Sequence, residues 1–128
     1  MQQPTLPTPP PGVSTGDRVA VIAAHHTRLG LMTGPYRHAL AVHTARHQLP
    51  GARERTAEWF RLCQLHTRDW FAPELTGHTG PERSVVTVAV ATAVDPTRVD
   101  VLHHQHGLPA ERIGTVLAFE LTRLLRPT

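Results

Sequence analysis

The sequence predicts an all-α protein, a compact bundle of five to six short helices behind a disordered proline-rich N-terminal tail. Three observations lead there. Prolines recur where helices would begin, at Pro35, Pro50, Pro73, Pro81, Pro96 and Pro109. Proline suits the first helical position because its fixed φ matches the helix and its missing N–H needed no partner. Residues 52–71 carry an apolar stripe at helical spacing, and residues 109–125 carry a wider one.

The elements follow in chain order. Residues 1–16 contain Pro4, Pro7, Pro9, Pro10 and Pro11. Such a segment favours an extended tail and cannot bury a core. Residues 17–128 then form a single domain, of a size that folds around one core. A first helix is expected over 17–31, with Val19, Ile22 and Leu29 on one face. Gly34-Pro35 should end it, and a second helix should run over 35–47. The third, 52–71, aligns Thr56, Trp59, Phe60, Cys63 and Trp70, with Glu54, Glu58, Arg61 and Arg68 on its other side. Residues 72–80 read as a loop. Pro109 to Leu125 closes the chain, with Ile113, Val116, Leu117, Phe119, Leu121 and Leu124 as its apolar face.

Residues 84–94 are ambiguous. Val86, Val88, Val90 and Val94 alternate with smaller residues, the period-2 pattern of a strand. Thr79-Gly80-Pro81-Glu82 just before them is instead a good helix start. The reading here is helix. The alternative is an α+β fold with a hairpin at about 84–105, in which Val99 and Val101 supply the second strand.

Charge is unevenly placed. All thirteen basic residues are arginine, which with abundant alanine, glycine and proline suggests a GC-rich bacterial genome. From Arg18 to Arg53 there is no acidic residue, while arginines and histidines are frequent. That segment is a candidate surface for phosphate or for an acidic protein partner.

Several classes are excluded. The single cysteine, Cys63, cannot form an internal disulfide and lies on an apolar helix face, so it reads as a core thiol. The opening Met1-Gln2-Gln3-Pro4 lacks the basic and apolar regions of a secretion signal. The longest uncharged apolar run, 84–94, is well short of the roughly 20 residues a membrane span requires. A cytoplasmic location is therefore expected, with no membrane partner. The only serines are Ser14 and Ser84, no Gly-x-Ser-x-Gly or glycine-rich phosphate loop is present, and the carboxylates are scattered. No catalytic constellation emerges, and the expectation is a non-enzymatic protein without a cofactor.

The segment 96–125 resembles a helix-turn-helix DNA-binding module. The residues that carry the resemblance are Leu102, Gly107 and Leu108, then Ile113 and Val116. In that family a short helix ends at a glycine, an apolar residue follows, and a second helix packs through apolar residues at this spacing. The family usually has a small residue where His103 stands and an apolar one where His106 stands. The resemblance implies a DNA-contacting regulatory protein. Arg112 and Thr115 would enter a groove, while Arg18, His25, Arg28, Arg37 and Arg46 would contact phosphates.

Two other readings stand beside it. The aromatic stripe of 52–71 suits the core of a bundle, or a helical adaptor that binds another protein through Trp59 and Trp70, as a homodimer or otherwise. His43 and His47 lie one helical turn apart, a spacing able to bind one metal ion, although a complete zinc site needs three or four ligands.

Overall fold

The computed structural model describes residues 12–47 and 51–127; the side chains of 36–38, 40, 41, 43–47, 52, 53, 55 and 56 lie outside the description. The described residues form six helices and no strand: α1 (Thr15–His47), α2 (Ala52–Trp70), α3 (Ala72–Leu75), α4 (Gly80–Ala93), α5 (Pro96–His104) and α6 (Ala110–Leu125). The fold is all-α, as expected. No helix among these residues is long and apolar enough to cross a membrane.

Local sequence sets the helix starts. The Ser14 hydroxyl accepts from the Asp17 amide at 3.1 Å and begins α1. Thr79 caps α4 by accepting from the Glu82 amide at 3.4 Å. Asp95 caps α5 by accepting from the Thr97 amide at 2.7 Å. Pro81 and Pro96 follow their caps in the first helical turn.

The valine-rich segment resolves as helix α4. Val90 and Val94 are buried and Val86 is half-buried, whereas Val85 and Val88 face outward. The inward valines thus recur every four residues, a spacing that a period-2 pattern also contains. Residues 72–75, expected within a loop, form the single turn α3 behind Phe71. The Arg83 guanidinium donates to the carbonyls of Leu75 and His78 and holds that connection closed.

The core gathers Val19, Ile22 and Ala23 of α1, Trp70 of α2, Val99 of α5, and Ile113, Leu117, Leu121 and Leu125 of α6. α1 packs along α5 and α6, and α4 bridges α2 and α6. The four α6 residues are spaced by four and are almost fully buried, which makes α6 the central helix. Burying each such side chain contributes on the order of 2 kcal/mol.

One expectation is corrected. Gly34-Pro35 does not divide the first helix: α1 runs unbroken for 33 residues with Pro35 inside it, about 50 Å at 1.5 Å per residue. An interior proline costs about 3 kcal/mol through the lost hydrogen bond and the clash with the preceding turn. Two features offset it. The residue before proline normally avoids the helical region because its β-carbon meets the proline ring, and Gly34 has none. The same glycine, with Gly30 one turn earlier, forms a notch that receives α5. A β-carbon on Gly34 would stand 2.6 Å from Asp100 Cβ and 2.7 Å from the Pro96 carbonyl, and one on Gly30 would overlap Val99 Cβ.

This notch yields a stability prediction. Gly30→Ala should destabilise the protein by about 1–3 kcal/mol despite alanine's better helix propensity, because overpacking outweighs it. Val99→Ala should not rescue it, since the conflict is with Val99 Cβ, which alanine retains. Gly114→Ala is the contrast. Its β-carbon would sit 3.7 Å from Thr27 Oγ1, an ordinary contact, so thermal denaturation should show a gain of about 0.5–1 kcal/mol.

Candidate nucleic-acid interface

The arginines divide by what they touch. Arg18 is only 8% exposed. Its guanidinium pairs with Glu74 and donates to the Val13 carbonyl, and Thr15 Oγ1 donates to the same carboxylate at 2.6 Å. The expectation that Arg18 contacts phosphate is therefore corrected: it ties the start of α1 to α3. Arg83 is occupied by carbonyls, and Arg98 joins the Ala93 carbonyl to Glu120 of α6. Arg61 pairs with Glu58 on the surface of α2.

Arg28, Arg68, Arg112, Arg123 and Arg126 are exposed and reach no carboxylate among the described residues. Three of these five belong to α6 and its end. Residues 112, 115, 119 and 123 step by three or four and occupy the side of α6 opposite its buried row, and the exposed Arg126 follows as the residue that caps the helix end. Phe119 stands in the middle of this strip, 60% exposed. The Arg123 guanidinium lies 5.2 Å from its ring centroid, within cation–π range. Phe119 was expected on the apolar face and is found outside it. The row 113/117/121/125 is the core, and position 119 falls nearly opposite.

The turn before α6 is built around Gly107, whose φ of 69° is the left-handed backbone that glycine adopts without strain. The Gly107 amide donates to the His103 carbonyl at 3.1 Å, and the Leu108 amide to the Leu102 carbonyl at 3.0 Å. His103 Nδ1 lies 2.9 Å from the Leu108 carbonyl, so this histidine braces the turn. Arg112 and Thr115 are exposed beyond it, with the Thr115 hydroxyl donating to the Glu111 carbonyl. Gly114 and Ala118 are half-buried, with Thr27 of α1 beside Gly114. That edge of α6 is partly covered, and the 112–126 strip is the open one.

The histidines are placed differently. His25 and His26 of α1 and His66 of α2 lie close together. His26 and His66 line a narrow cleft walled by Ile22, Trp70, Val90 and Val94. His26 is 6% exposed and its Nδ1 has no hydrogen-bond partner. Burial pushes its pKa down to about 3, with the His25 and His66 rings adding to the shift. His25 is half-buried and held below its ordinary value by burial, then by Arg28 and His66. A lowered pKa disfavours the charged imidazolium that a phosphate contact would use.

The side chains of Arg37, Arg46, His43 and His47 lie outside the described residues. No group of three or more His, Cys, Asp or Glu side chains among the described residues is arranged to hold a metal ion. Trp70 is 4% exposed and belongs to the core, and Trp59 is half-buried. The α2 stripe therefore faces inward, and Cys63 is buried within it.

Sequence reading missed Arg123, Arg126 and Phe119 as members of one strip. The signal was present in their 3-4-4-3 spacing with Arg112 and Thr115, but a broad apolar face had absorbed Phe119. Comparison of the chain with protein-family models, with curated proteins and with solved structures returned no match.

Proposed function

We propose that this chain is a non-enzymatic, DNA-contacting regulatory protein that presents the outer strip of α6 to the duplex. The observation that carries the reading is the allocation of arginines. Those within the fold are occupied by carboxylates or carbonyls, while Arg112 and Arg123 share one exposed face of α6 and Arg126 continues it past the helix end, all three without an acidic partner among the described residues. Arg28 and Arg68, likewise exposed without one, each stand on a different helix, α1 and α2. Guanidinium groups in such a row suit phosphate oxygens, which accept their forked donors. Phe119 between them offers an apolar surface to sugar or to a thymine methyl. The Gly107 turn joins α5 to α6, and this connection supports the helix-turn-helix reading. The strip offers few base-reading side chains, so backbone contact should dominate over sequence discrimination. Glu120 does not oppose this charge, because Arg98 pairs with it.

Fluorescence anisotropy with duplex DNA across a salt series tests the reading. With three phosphate contacts the affinity should fall with a log–log slope of roughly −3. Arg112→Ala, Arg123→Ala and Arg126→Ala should each shallow that slope by about one. Arg61→Ala, on another helix, should leave it unchanged. Absence of binding at low salt would falsify the proposal.

A further inference from the structure

α1 has a second face, independent of α6. Its core-facing residues, among them Val19, Ile22, His26 and Gly30, are buried. On the opposite side Asp17, Val21, Ala24, Arg28 and Met32 are exposed, in steps of three or four along one strip. Val21 is 46% exposed near the middle of this strip, and Met32, 78% exposed, lies one turn beyond Arg28. Only two charges interrupt the strip among the described residues, Asp17 and Arg28.

Those two charges are eleven residues apart in the sequence, about three helical turns or roughly 16 Å. Reversing the helix about a twofold axis midway between them sets Asp17 of one copy opposite Arg28 of the other, twice. The same operation sets Val21 opposite Ala24, twice. Alanine at the crossing lets the backbones approach closely. A parallel pairing would instead oppose like charges at both positions. The strip is thus self-complementary under an antiparallel twofold, the condition for an isologous contact.

We infer that the outer face of α1 is a homodimer interface in which two copies pair antiparallel across Val21 and Ala24, closed at each end by Asp17 and Arg28. Arg28 is then committed to the partner copy and is not needed for phosphate. The inference does not depend on the α6 reading. The dimer leaves the two α6 strips uncovered, because residues 112–126 project from another helix.

Light scattering and sedimentation velocity on the full chain test it. The expected mass is twice 14.1 kDa at tens of micromolar. Asp17→Arg and Arg28→Asp each oppose like charges across the axis and should weaken the dimer about ten-fold or more. The double swap re-creates both opposite pairs and should restore wild-type association. Circular dichroism reports that each variant stays helical. A register test needs no charge change. Val21→Cys should cross-link to itself under oxidation. Met32→Cys should not, because the two copies of position 32 would lie roughly 28 Å apart along the pair. Cys63 is buried and does not compete. A monomeric wild type, a double swap no tighter than the single variants, or cross-linking through Met32→Cys rather than Val21→Cys overturns the inference.

Discussion

Acidification from pH 7 to pH 4 is expected to remove roughly 3 kcal/mol of folding stability through one side chain, His26. The ring is buried between α1 and α2, Nδ1 has no partner, and its pKa falls to about 3. In the unfolded chain it returns to about 6.5. Between those values the unfolded state binds a proton that the folded state refuses. Stability therefore falls as the pH drops below about 6.5, by up to about 1.4 kcal/mol per pH unit, and the loss is complete once the pH passes the folded value. His25, whose pKa is lowered as well, contributes with the same sign, and the lining residues Val90 of α4 and Val94 just after it carry no charge. Denaturant titrations at a series of pH values measure the effect. His26→Leu should flatten most of the dependence between pH 6.5 and pH 4, since leucine fits an apolar wall and has no proton to take up. A variant as acid-sensitive as the parent would mean that another group governs the transition.

Glu74→Ala is expected to cost about 3 kcal/mol or more at neutral pH. The side chains of Arg18 and Glu74 are 10% and 8% exposed, so truncating the carboxylate leaves a guanidinium buried without its counter-charge. The Val13 carbonyl remains as its acceptor, but the Thr15 hydroxyl loses its own. The desolvation of both ions offsets much of their attraction, so the pair itself adds little net stability. It follows that Arg18→Met together with Glu74→Leu should recover most of what the single change removes. Unfolding midpoints of the parent and the two variants decide this. A single-variant loss below about 0.5 kcal/mol would place the pair with solvent-screened surface contacts.

Arg18 shows where sequence reasoning reaches and where it stops. Ile113, Leu117 and Leu121 repeat at helical spacing, and Asp95-Pro96 and Thr79-Gly80-Pro81 announce helix starts. These are local signals, and the structure follows them. Arg18 could not be separated from Arg112 on local grounds, because both sit in helical segments beside apolar residues. What distinguishes them is Glu74, fifty-six positions away, and no short-range pattern reports such a partner. The same applies to Pro35. Its local preference is to end a helix, and the contact that keeps α1 whole is supplied by α5, far along the chain. Phe119 failed for another reason. A wide apolar face was drawn where the strict spacing of four already accounted for the core, and the leftover aromatic marked the exposed strip. For the candidate interface, Arg112 and Thr115 were legible from the motif, while Arg123 and Arg126 required knowing which side of α6 is covered.

The glycine notch on α1 has a consequence for how this chain could change over time. A joint made of side chains can drift, since a larger residue on one helix is balanced by a smaller one on the other. Here one half of the joint is bare backbone at Gly30 and Gly34, and there is nothing smaller to substitute. Drift is open only to the α5 half, at Pro96, Val99 and Asp100, and only toward shapes that still fit the gap. A diverged descendant that kept this architecture would thus retain two glycines one turn apart in its long first helix after most of its surface had been rewritten.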